Sequence, residues 1–102
     1  MITVNLSNNT EEKFQRLLGL YNGNYDDLFN GMVKYKIMEL KRGIRNIEID
    51  FTYYEKKYGI STQTFYKKFL NGEINEHNDD YFKWSGEFEV WQEFNKELKQ
   101  IS

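Results

Sequence analysis

No proline occurs anywhere in the 102 residues, so no position is barred from an α-helix by a missing N–H. Helices can run until glycine or asparagine stops them, and the stops read at Asn22-Gly23-Asn24, Gly43, Gly59 and Asn71-Gly72 among the chain's seven glycines. Asn8-Asn9-Thr10 opens a helix over 10–21, with Asn9 as N-cap and Glu12 in capping-box position; Phe14, Leu17, Leu18 and Tyr21 are its stripe. Asn24 caps the next helix, 25–42, along Tyr25, Leu28, Phe29, Met32, Val33, Ile37 and Leu40, and Gly43 breaks or bends it. Over 44–58 two periods compete. Ile47, Ile49, Phe51 and Tyr53 alternate as in a strand, while Ile44, Ile47, Phe51, Tyr54 and Tyr58 repeat as in a helix. The Glu55-Lys56-Lys57 tail before Gly59 favours the helix. Ser61 caps a short helix over 62–70, residues 73–78 are polar loop, and a last helix runs from Asn78 or Asp79 to about Leu98.

The N-terminus reads differently. In MITVNLS, Ile2, Val4 and Leu6 alternate with Thr3, Asn5 and Ser7, the period of a half-buried strand. One short strand among helices has nothing in its own chain to pair with. The economical expectation is an antiparallel ribbon with the same strand of a second copy, Ile2, Val4 and Leu6 covering a shared core and the dimer being obligate.

Composition narrows function. With no cysteine there is no disulfide, thiolate metal site or cysteine nucleophile. No apolar run is long enough for a membrane span and no signal peptide is visible, which leads us to expect a cytoplasmic protein. His77, the single histidine, sits in a polar loop and reads as solvated, not as a metal ligand. Asp26-Asp27 and Asp79-Asp80 occupy helix first turns, where the dipole alone favours acids. We therefore expect no enzyme, cofactor or metal. Charge is uneven: residues 1–46 are net +2 and residues 47–102 net −4.

The phrases ITVNLS, NNTEEKFQRLLGLY and NGNYDDLFNGMVKYKI resemble the ribbon-helix-helix family of DNA-binding proteins. That resemblance implies base readout by the outward strand residues Thr3, Asn5 and Ser7, and a phosphate clamp at the second helix N-terminus, Asn24-Tyr25. Two features depart from the family: the outward face carries no Lys or Arg, and Asp26-Asp27 oppose a phosphate.

The stretch from Tyr54-Glu55-Lys56-Lys57-Tyr58-Gly59 through Phe65-Tyr66 and Gly72-Glu73 to Asp79-Asp80-Tyr81-Phe82-Lys83-Trp84 resembles the C-terminal region of small prokaryotic type II antitoxins. It implies an RNA-targeting toxin whose basic groove takes Glu73, Glu76, Asp79, Asp80, Glu87, Glu89 and Glu93, with Tyr81, Phe82, Trp84, Phe88 and Trp91 as anchors and Phe94 as a further contact. At the same helical spacing Trp84, Phe88 and Trp91 also suit a core. The expected fold is mainly α: a ribbon-helix-helix unit over 1–43 and a helical toxin-binding region over 44–102. The expected function is neutralising a cognate toxin and binding operator DNA as a homodimer. A stand-alone transcriptional regulator, or an interaction module that does not touch DNA, are the alternatives.

Overall fold

The computed structural model describes residues 1–74 and 78–102. Every regular element among them is a helix: α1 is Asn8–Leu20, α2 Tyr25–Tyr58, α3 Thr62–Leu70 and α4 Asp79–Ile101. The chain divides into two compact units, Met1–Lys36 and Ile37–Ser102, with the division inside α2.

The β-ribbon expectation is overturned, because the described residues contain no strand. An extended segment becomes a ladder only where another strand supplies its hydrogen-bond partners, and every other element here is helical. Residues 1–7 have no regular structure, and Ile2, Val4 and Leu6 are 90%, 64% and 39% exposed. Ser7 is not an outward strand residue. It is the N-cap of α1, its hydroxyl oxygen accepting from the Thr10 N–H at 3.4 Å while its O–H donates to Thr10 Oγ1 at 2.9 Å. The cap therefore lies two residues before Asn9, because a hydroxyl at Ser7 can reach an orphan N–H that Asn9 would leave inside the helix.

In the first unit α1 ends where Asn22 (φ 56°) and Gly23 (φ 75°) turn left-handed and the Gly23 N–H donates to Leu18 O at 3.0 Å. Asn24 then caps α2, its Oδ1 accepting from the Asp27 N–H at 3.1 Å. Gly31 leaves room for the Tyr21 hydroxyl, which would lie 2.8 Å from a Cβ there. The interior is thin. Only Leu18 and Leu28 are buried, and Phe14 packs on Tyr25 and Phe29 at 6.1 and 6.4 Å between ring centres.

Gly43 does not interrupt α2, which runs unbroken for 34 residues. A Cβ at Gly43 would sit 2.7 Å from Phe94 Cε2, so the missing side chain makes space for a ring of α4. The competing periods over 44–58 resolve as helix: Ile44, Phe51 and Tyr54 are buried, while Ile49 and Tyr53 are 61% and 58% exposed. Gly59 (φ 66°) closes α2 with its N–H on Glu55 O at 2.9 Å, and Ser61 caps α3 through the Thr64 N–H at 3.2 Å.

The second unit has a continuous aromatic core. Phe65 and Trp84 are fully buried and stack at 3.9 Å with rings 5° from parallel. Tyr54 also stacks on Trp84, at 5.3 Å, and Phe51, Phe88 and Trp91 extend the cluster. Each such ring contributes its buried area and roughly 0.5–1.5 kcal/mol of ring-pair geometry.

Candidate interaction surfaces

In the first unit the apolar stripes of α1 and α2 bury Leu18 and Leu28 but otherwise stay largely open. Leu17, Phe29, Met32 and Val33 are 41%, 47%, 51% and 40% exposed, and Leu20 is 81% exposed. On α2, Tyr25, Phe29, Met32 and Val33 fall at helical spacing on one side. This unit leaves more of its large apolar side chains in water than it buries.

Of the residues expected to meet DNA, Thr3 and Asn5 are exposed in the irregular segment, Ser7 and Asn24 are occupied as helix caps, and Tyr25 packs on Phe14. The expected phosphate clamp at Asn24-Tyr25 is not free. Asn24 already takes the Asp27 N–H, and Asp26 and Asp27 bring negative charge to the same turn.

In the second unit a polar chain runs beside the core. The Trp84 indole N–H donates to Thr62 Oγ1 at 3.1 Å, and that hydroxyl donates to Glu55 Oε2 at 3.0 Å. The same carboxylate oxygen accepts the Thr62 N–H at 2.8 Å, so Glu55 on α2 holds the first residue of α3 twice. The Glu55-x-x-x-Gly59 phrase is thus structural: the glycine turns the chain and the glutamate anchors the start of the next helix.

Asp80 is consumed in the same way. It accepts from Lys57 Nζ at 2.7 Å and from the Tyr58 hydroxyl at 2.6 Å, which fastens the start of α4 to the end of α2. The Lys57 hydrogen bond, then that of Tyr58, holds the Asp80 carboxyl below its ordinary range, and both partners are raised in turn. Further along α4, Glu87 is pushed up to about 7, first by burial and then by Asp50 facing it from α2, with Lys83 acting against the rise. Its Oε2 and the Trp91 Nε1, one turn on, are buried with no partner among the described residues.

Of the expected toxin anchors, Trp84 and Phe88 are core residues and not surface anchors, because α2 and α3 close over them. Tyr81 and Trp91 are half-buried against that core, and half-buried Phe94 fills the space over Gly43. Phe82 differs: it is 70% exposed, with Glu73 and Asp79 also exposed. Glu76 and His77 lie outside the described residues. The Glu55–Thr62–Trp84 chain and the Asp50–Glu87 pair escape sequence reading, since both link residues distant in the chain. No group of three or more potential metal ligands occurs among the described residues, and no helix is long and apolar enough to cross a membrane.

No family model, curated protein or solved structure matches this chain.

Proposed function

We propose that the chain is an antitoxin that acts as a homodimer, pairing through the open apolar face of its first unit and neutralising a small toxin with its second. The observation that carries this reading is the half-exposed row Leu17, Phe29, Met32 and Val33. Covering what remains exposed of each contributes roughly 1 kcal/mol. Over two copies this is roughly 8 kcal/mol, within the range of about 4–15 kcal/mol that association costs. Leu20 and the Ile2, Val4 and Leu6 side chains add to the favourable side.

The toxin-facing surface is narrower than the phrase resemblance implies. Glu73, Asp79 and Phe82 supply carboxylates and one exposed ring for a basic groove, while the tryptophans hold the unit in shape. A second reading, an interaction module that does not touch DNA, is favoured by the use of Ser7 and Asn24 as caps.

Three measurements test these assignments. Sedimentation equilibrium should give a dimer that Phe29→Lys with Val33→Lys converts to monomer; an unchanged dimer refutes the assigned face. Co-expression with the product of an adjacent toxin-like gene should restore growth, and Asp79→Lys with Phe82→Ala should abolish the rescue. A mobility shift on the protein's own promoter decides the DNA question, Asn5→Ala weakening binding if the N-terminal segment reads bases.

A further inference from the structure

The second unit carries two helix faces that stay largely exposed, with Tyr53 touching only Tyr54 and the Lys57 ammonium of its own helix among the ring contacts of the described residues. On α2, Ile44, Ile47, Phe51, Tyr54 and Tyr58 turn toward the core. At 3.6 residues per turn the opposite face presents Lys41, Arg45, Ile49, Tyr53 and Lys56, all exposed. No acid lies on that row, and Lys41, Arg45 and Lys56 have no ion-pair partner among the described residues. Charge and apolar surface alternate along it, with Ile49 61% and Tyr53 58% exposed.

On α4 the side away from Trp84 and Phe88 presents Phe82, Gly86, Val90 and Glu93, with Glu97 one turn beyond. Phe82 is 70% and Val90 43% exposed. Gly86 has no explanation inside the unit. A glycine in a helix interior costs about 1 kcal/mol against alanine, yet a Cβ at 86 would meet nothing within 4 Å. Gly43, by contrast, is required by Phe94. A bare backbone patch between two exposed apolar residues is what a second helix needs for close approach.

We propose that the outer face of α4 in one copy packs antiparallel on the outer face of α2 in a second copy, with Tyr53 seated over Gly86. Ile49 then meets Val90, Arg45 meets Glu93, Lys41 meets Glu97, and the Lys56 ammonium lies over the Phe82 ring. The two rows advance by four, four, four and three residues against four, three, four and four, so they keep step over roughly 22 Å. A nucleic-acid backbone would neutralise the cations but leave Ile49 and Tyr53 in water and Gly86 without a reason. An acidic amphipathic helix satisfies all three, and this chain presents one. A single helix pair buries little area, which makes the contact weak and salt-sensitive. It lies wholly within the second unit and is independent of the dimer proposed for the first.

The test is sedimentation of the full chain across a concentration series at low and high salt. The expected result is association beyond the species formed by the first unit, lost at high salt and retained when Phe29→Lys with Val33→Lys removes first-unit pairing. Lys41→Glu with Arg45→Glu, and separately Glu93→Lys with Glu97→Lys, should each weaken self-association about tenfold or more. An equimolar mixture of the two should recover it. Gly86→Ala should raise thermal stability yet weaken association, a combination that a merely tolerated glycine does not give. The proposal is overturned if no salt-sensitive association appears, if the mixture stays dissociated, or if Gly86→Ala leaves association unchanged. It is equally overturned if Lys41→Glu with Arg45→Glu abolishes binding to a labelled DNA duplex while self-association persists.

Discussion

Replacing Glu87 by glutamine should make the second unit more stable at pH 8 and leave it nearly unchanged at pH 4. The carboxyl is raised from 4.5 to about 7, mainly by burial and then by Asp50 opposite. In the unfolded chain it titrates near its ordinary value, so below about 4.5 it is neutral in both states and costs nothing. Between 4.5 and about 7 the unfolded chain ionises first, and stability falls across that window as pH rises. Above it the penalty is constant. For a fully buried carboxyl a displacement of this size corresponds to roughly 3 kcal/mol. The carboxyl is only partly buried, and solvent screening brings this to roughly 1 kcal/mol. Glutamine keeps the shape and removes the charge. For a unit of this size the gain at pH 8 amounts to roughly 4–8 °C in Tm.

Both tryptophans, Trp84 and Trp91, lie in this unit, so thermal unfolding followed by tryptophan fluorescence reports on it alone. Asp80 does not confuse the result. Its carboxyl is lowered, so its contribution is present above about 3.8 and is lost only as pH falls below that. An equal Tm difference between Glu87→Gln and the parent at pH 4 and pH 8 would refute the reasoning. Asp50→Asn should flatten the same window in part, because it removes one of the two causes and leaves burial.

Other expected outcomes concern single contacts. Thr62→Val takes the acceptor from the Trp84 indole and a donor from Glu55 in one step, and should cost about 1–3 kcal/mol in urea unfolding. Trp84→Ala empties the centre of the core and should cost about 3–5 kcal/mol, enough to unfold the second unit. Gly43→Ala should destabilise the chain in the presence of Phe94 but stabilise it by roughly 1 kcal/mol in a Phe94→Ala background, a sign reversal that a double-mutant cycle reads directly. Ser61→Ala should cost about 1 kcal/mol by leaving the Thr64 N–H uncapped.

Much of the helical layout is legible residue by residue. The Asn22-Gly23-Asn24 turn, the Gly59 stop, the Ser61 cap and the Asn71-Gly72 exit are local chemistry, each settled by hydrogen bonds within a few residues, and the structure forms them as read. The stripe Ile44, Ile47, Phe51, Tyr54 and Tyr58 likewise carries its own period. The expected cap at Asn9 fell to Ser7, a local miss, while two other expectations failed because they concern groups distant in the chain. A strand at Ile2, Val4 and Leu6 needs a second strand, and no local pattern can supply one. The role of Gly43 depends on Phe94, which lies 51 residues later and turns an apparent break into a packing contact. For the same reason Trp84 and Phe88, whose spacing suits both toxin anchors and a core, become core residues only when α2 and α3 close over them. What a residue does to its neighbours in the chain is written in the chain; which side of a helix stays wet is decided by what else folds against it.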